Sequence, residues 1–202
     1  MQKCISNALS NSYSYIEYRK LVSDLLAEGK STGLEQSEDL TNYSSLNETR
    51  MNRLEKTIKI TETTISKLQN VHKNYIWLVI SEGWCGDAAQ LLPIIYKMAT
   101  ESKNKINLKI VLRDENSELM NLFLTNGGKA IPKLIIIDKE KLEVLADWGP
   151  RPQGAVDLVN NYKKEFGAFD ETIKANLQLW YLHDKGVSTQ DEIMEIMEKQ
   201  EG

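Results

Sequence analysis

Ser81-Glu82-Gly83-Trp84-Cys85-Gly86-Asp87-Ala88-Ala89-Gln90 is the stretch around which the rest of the chain is organised. The apolar run Ile76-Trp77-Leu78-Val79-Ile80 comes before it, and Leu91-Leu92-Pro93-Ile94-Ile95 follows. An apolar run, a glycine, a cysteine and then helical periodicity predict a buried strand, a tight turn and a helix start. A cysteine at that point faces the unpaired N–H groups and positive end of the helix, which favour a thiolate, the nucleophilic form of the side chain.

The neighbouring segments extend this pattern in both directions. Ahead of it, Thr57-Ile58-Lys59-Ile60 alternates and predicts a short strand, and Thr61 caps a helix to about residue 70. Behind it, the Cys85 helix runs to about residue 102, and Ile106 to Leu112 predicts a strand. Asp114 or Asn116 caps a short helix that Asn126-Gly127-Gly128 ends. Leu134 to Ile137 and Leu142 to Asp147 form a hairpin about a turn at 138–141, and a helix follows to Phe166. The order β-α-β-α-β-α-β-β-α implies an α/β fold with a mixed central sheet and helices on both faces.

The flanks read as helical. Residues to about Tyr13 are polar and predict a loosely ordered terminus. Helical spacing runs from Tyr15 to Leu26, then from about Ser37 to Lys56, with Leu40, Tyr43, Leu46, Met51 and Leu54 as apolar positions. On another face Arg50, Arg53 and Lys56 recur every three residues, either as a solvated face or as an anion or partner site. Two more helices are predicted at about 170–184 and 188–199. This divides the chain into an N-terminal helical extension (1–56), a central domain (57–166) and a C-terminal helical extension (167–202).

Bulk properties narrow the function. The chain has 202 residues, 41% hydrophobic and 27% charged, which is enough for a sizeable core. A net charge of −4, with no long basic run, argues against a nucleic-acid surface. No stretch has the length to cross a bilayer, and the N-terminus lacks the apolar region of a signal peptide, so the expected location is the cytoplasm. Two cysteines, Cys4 and Cys85, cannot build a disulfide framework, which fits a reducing compartment and leaves Cys85 a free thiol. His72 and His183 have no metal-ligand spacing to Cys85, and no metal is expected. Trp77 and Trp180 read as packing residues, and Trp84 as a cover on one side of the cysteine.

Three separated landmarks, Trp84-Cys85-Gly86 with Pro93, Ala130-Ile131-Pro132 before a buried strand, and Gly149 after the hairpin, resemble the active-site frame of the thioredoxin family over about residues 57–166. The resemblance implies a cis peptide before Pro132, opposite the cysteine, and a backbone at Ile131 that pairs with an extended substrate. It also implies a glycine at 149 close to the active-site surface. More closely, Trp-Cys-Gly-Asp-X-X-Gln with Arg113-Asp114-Glu115-Asn116 and Trp148-Gly149-Pro150-Arg151-Pro152 resembles a bacterial branch of that family. Some members have a second cysteine where this chain has Ala88. Val79 stands where thioredoxins usually keep a buried acid, so the resolving thiol and that acid are lost together. Asp87 complements the helix N-terminus but opposes the thiolate beside it, so a thiol pKa lowered less than in a dithiol relative is expected.

What is left is monothiol chemistry. The Cys85 thiolate attacks a protein disulfide or thiol adduct, and an external thiol, small or protein-borne, resolves the product, with no bound cofactor. Cys4 can take that role only if the N-terminal segment folds over the site. Arg151 is either a contact for the carboxylate of a small thiol or an exposed loop arginine. The Cys-Gly-Phe-Ser of cluster-sharing monothiol glutaredoxins and the Pro-X-X-X-Thr-X-X-Cys of peroxiredoxins are absent. The alternative is a non-catalytic thioredoxin-fold binding module, with a partner held beside Pro132 or on the added helices. The resemblance carries no oligomeric state.

Overall fold

The computed structural model describes residues 1–201. At its centre, β1 (Tyr75–Ser81), β2 (Ile106–Leu112), β3 (Lys133–Asp138) and β4 (Val144–Trp148) form one sheet in the order β2-β1-β3-β4. β1 runs parallel to β2 and antiparallel to β3, and β3 pairs antiparallel with β4. Every residue of β1 is buried, so both faces of the sheet are covered there. Val79 sits opposite Ile110 on one side and Leu134 on the other, deep in this core.

Around the sheet lie α1 (Gln2–Ser10), α2 (Tyr15–Ala27), α3 (Glu38–Thr57), α4 (Glu62–Gln69), α5 (Gly86–Glu101), α6 (Ser117–Leu122), α7 (Gln153–Phe166), α8 (Glu171–Asp184) and α9 (Val187–Glu201). The expected cap at Thr61 is in place, whereas Asn116 stands at the N-cap of α6 without a side-chain cap bond and α6 ends at Leu122, ahead of Asn126-Gly127-Gly128. Ser14 and Glu17 close a capping box on α2, and Ser37, Thr61 and Asp170 accept backbone N–H groups at the starts of α3, α4 and α8. Helix α9 starts at Val187, one residue before the expected start at about 188, and the Ser188 N–H is taken by Asp184.

Two expectations change. Residues 2–10 form a helix rather than a loose end, because Ile5 and Ala8 are buried on one face of it and α1 packs on α6 and β2. The strand expected at Thr57–Ile60 does not form: Thr57 is the last residue of α3 and residues 58–61 are irregular. Their backbone groups are taken by side chains: Gln190 bonds both the Lys59 carbonyl and the Thr61 N–H, and Lys97 Nζ donates to the Ile58 carbonyl at 2.6 Å. The free edge of β2 is met instead by Tyr13, which exchanges two backbone hydrogen bonds of 2.8 Å with Ile110.

The N- and C-terminal helices share the buried core of the sheet. Tyr18, Met51, Ile173 and Met197 are all inside it. The Tyr18 hydroxyl lies 3.3 Å from Ser81 Oγ, and Tyr15 stacks on Tyr96 of α5 with ring centroids 4.1 Å apart. At the other end, Glu192 of α9 accepts from the Trp148 indole at 2.8 Å and from the Gln153 N–H at 2.7 Å.

Candidate functional site

Cys85 ends the turn after β1 and is the N-cap of α5. The Ala88 N–H points at its sulfur from 3.5 Å, and the thiol donates to the Ile131 carbonyl at 3.3 Å. The side chain is 8% exposed. Burial, with the charge of Asp87 acting in the same direction, pushes the thiol up to about 12; the Ala88 and Asp87 N–H groups and Arg151 pull it only part of the way back. The expected lowering is therefore overturned: desolvation of the sulfur outweighs the helix N-terminus, and Cys85 rests as a thiol.

The turn is held from the N-terminal side. The Gly83 N–H donates to Thr32 Oγ1 at 2.7 Å, and the Gly83 carbonyl accepts from Asn47 Nδ2 at 3.0 Å. A Cβ at Gly83 would come within 3.2 Å of Val22. Both backbone groups of the residue two before the cysteine are thus satisfied by residues outside the strand–turn–helix unit.

The other expected site residues are placed as follows. Trp84 is half-buried beside the cysteine, with the Arg113 guanidinium 4.7 Å from its ring. Gly86 opens α5, and Ala88 lies in its first turn, 1% exposed. The Asp87 carboxylate is bound on both oxygens, by Arg151 Nη2 at 2.6 Å and by the Tyr181 hydroxyl at 2.8 Å. Arg151 is thus a part-buried residue paired with Asp87 through Nη2, while its buried Nε has no hydrogen-bond partner. The Ile131–Pro132 peptide is cis, as is Gly149–Pro150. At Gly149, φ is +113°, and a Cβ would lie 2.5 Å from the Pro132 carbonyl oxygen, so only glycine fits this approach. Cys4 lies on α1, which packs on α6 and β2, and it is not among the residues around Cys85.

Sequence reasoning missed the walls of the site. Above Cys85 opens a pocket of about 560 Å³ between α3 and α8. The floor is Trp84 to Asp87; Tyr43, Leu46 and Arg50 form one wall, and Phe169, Lys174 and Leu177 stand opposite. Tyr43 and Leu46, two of the apolar positions of α3, are 41% and 47% exposed. The buried stripe of that helix is Ser44, Asn47, Met51 and Leu54, with the polar pair serving the Ser31 hydroxyl and Gly83. Ile131 and Pro132 are buried and do not line the pocket.

A buried acid was missed as well. Glu82 is fully buried, with its carboxyl raised by desolvation and one oxygen accepting the Asp114 N–H at 3.0 Å. It follows directly on the apolar strand, and that position is the one signal that could have revealed it.

The thioredoxin family model matches residues 33–163, well over half of the chain. The chain belongs to the thioredoxin family. Among solved structures, a protein of unknown function from Pseudomonas aeruginosa aligns with a TM-score of 0.59 at 18% identity, over 93% of this chain and 99% of that one. An HIV epitope-scaffold aligns with a TM-score of 0.57 at 19% identity and the same coverage. At such identities the likeness is one of fold, but it takes in the helices on both flanks of this thioredoxin-family protein. No curated protein matches. No helix among the described residues is long and apolar enough to cross a membrane.

Proposed function

We propose that this thioredoxin-family protein is a one-cysteine thiol–disulfide exchange protein that accepts a sulfur ligand onto Cys85. The observation that carries the reading is the placement of the sulfur: at the N-terminus of α5, under the Ala88 N–H, on the floor of an open pocket. In the forward step the Cys85 thiol gives its proton to solvent and the thiolate attacks one sulfur of a disulfide. The Cys85 sulfur forms the new S–S bond, the old S–S bond breaks, and the other half leaves as a thiolate. An external thiolate then attacks the mixed disulfide and restores Cys85. Protein disulfides and thiol adducts are the substrate classes that fit, and a reducing compartment would supply the second thiol.

The raised pKa of Cys85 shapes this chemistry. A high-pKa thiol is rarely ionised near neutrality, and it is also a poor leaving group. Cys85 is then slow to form a mixed disulfide and slow to release it, which suits an acceptor better than a rapid turnover catalyst. The second reading, a binding module with no covalent step, is favoured by the same burial.

The test is incubation of the Cys4→Ser protein with a small neutral disulfide, followed by intact mass and by adduct lifetime after the disulfide is diluted away. The expected result is a single adduct on Cys85 that outlasts the same adduct on a free cysteine peptide. No adduct even at alkaline pH, while the denatured chain reacts, would leave only the binding module.

A further inference from the structure

Five charged side chains line the pocket over Cys85, and four of them are paired with one another. Arg151 binds Asp87 at 2.6 Å, and Lys174 binds Glu171 at 2.6 Å. Arg50 is the fifth. Its Nη1 donates to Asn47 Oδ1 at 2.9 Å, and among the described residues it has no acidic partner. The same Nη1 lies 3.6 Å from the point where a Gly86 Cβ would be, so the guanidinium stands over the first turn of α5, next to the cysteine. Burial and the neighbouring Arg53 both press against its charge. Asp87, already bound by Arg151 and Tyr181, offsets them only in part, so Arg50 is a cation in a partly desolvated pocket with no hydrogen-bonded acid among the described residues.

The rest of the wall is apolar and open. Tyr43, Leu46 and Phe169 are 41%, 47% and 40% exposed around the opening. The volume, about 560 Å³, falls within the range of about 300–1,000 Å³ that suits a small molecule. The cis-proline ledge offers no comparable surface: the Ile131 carbonyl is taken by the thiol, and Pro132 is buried.

We infer that the pocket takes a small thiol or disulfide that carries a carboxylate and an apolar body. The carboxylate sits on Arg50, the body lies against Tyr43, Leu46 and Phe169, and the sulfur meets Cys85. This inference rests on the exchange reading for its covalent step, but the recognition of an apolar carboxylate does not need that step. A planar guanidinium fork matches a carboxylate in two parallel hydrogen bonds, which an ammonium group cannot reproduce.

The test separates binding from exchange. Binding of naphthoate, and of its neutral analogue naphthamide, is followed by tryptophan fluorescence in the full-length Cys85→Ser protein, where no exchange is possible. Naphthoate should bind more tightly than naphthamide, and Arg50→Gln should weaken naphthoate about tenfold while leaving naphthamide unchanged. Arg50→Lys should fall between the two. Should Arg50→Gln fail to fold, added salt provides the same comparison in the Cys85→Ser protein: it should weaken naphthoate and spare naphthamide. Equal binding of the two probes, or a loss of both on Arg50→Gln, overturns the assignment. In the Cys4→Ser protein with Cys85 intact, dithiobis(nitrobenzoate) should outpace neutral dithiodipyridine, each relative to free cysteine. If naphthoate binds through Arg50 but neither disulfide reacts, the pocket assignment stands and the exchange reading falls.

Discussion

Asp87→Asn should make Cys85 more reactive. In the wild type the thiol is pushed up to about 12, first by burial and then by the Asp87 charge. At neutral pH only about one sulfur in a hundred thousand would be ionised, against a few per cent of a free cysteine with its pKa of about 8.5. The intrinsic nucleophilicity of a thiolate rises with pKa by a Brønsted slope of about 0.4–0.5, which recovers part of that deficit and leaves Cys85 about a hundredfold slower than free cysteine. Removing a like charge at this range lowers a pKa by about one to two units. Arg151, released from its 2.6 Å pair, would then favour the thiolate more fully. Each unit of lowering increases the neutral-pH rate about threefold once the loss in nucleophilicity is counted, so the variant should react about three- to tenfold faster. The assay is iodoacetamide alkylation of Cys85 in a Cys4→Ser background, read by intact mass from about pH 6 to about pH 10. Because the reagent is neutral and the access route is shared, the ratio of the two proteins reports ionisation. Below its pKa a thiol gains reactivity about tenfold per pH unit, so the wild-type rate should still be climbing at the alkaline end. A folded Asp87→Asn protein no faster than wild type, or a wild-type profile that levels near pH 8.5, would refute the charge argument.

Other substitutions test the frame around the site. Asn47→Ala removes the donor to the Gly83 carbonyl and should cost about 1–3 kcal/mol in urea unfolding, with faster alkylation of Cys85 as the turn loosens. Gly149→Ala would force a side chain at φ +113° to within 2.5 Å of the Pro132 oxygen; a loss of about 2 kcal/mol or more, seen as a lower Tm, is expected. Gln190→Ala leaves the Thr61 N–H and the Lys59 carbonyl without partners, and should cost about 2 kcal/mol with the change in hydrogen exchange concentrated at 58–61.

Most of the frame could be read from local chemistry, because its signals are local. The run from Ile76 to Pro93 holds strand, turn and helix start within a few residues, and the hydroxyl and carboxylate caps of α2, α3, α4 and α8 lie directly beside the helices they start. Failures came where a partner is distant in sequence. Nothing near residues 58–61 announces Gln190, which lies about 130 residues away and removes the backbone groups a strand would need. Tyr43 and Leu46 carry the helical spacing of core residues, yet the stripe that faces inward holds Ser44 and Asn47, chosen by what Ser31 and Gly83 require. Cys85 stands out in the sequence, whereas its ionisation does not. A helix N-terminus is visible in a sequence; the depth at which α3, α8 and the Ile131 loop bury the sulfur is not. Arg50 was singled out by its spacing, but its role depends on α3 lying across the start of α5.

The clamp on Gly83 also bears on how Cys85 is reached. The side chains that hold the turn, Thr32 and Asn47, and the wall residues Tyr43, Leu46 and Arg50 all come from one continuous stretch of about twenty residues. If that stretch lifts as a unit, the same opening frees the turn, removes a wall and hydrates the sulfur, so its pKa falls and its exposure rises together. The amide of Gly83 and the thiol of Cys85 would then share one opening equilibrium, and the free energy of that local event, rather than global stability, would set the pace of reaction at the cysteine.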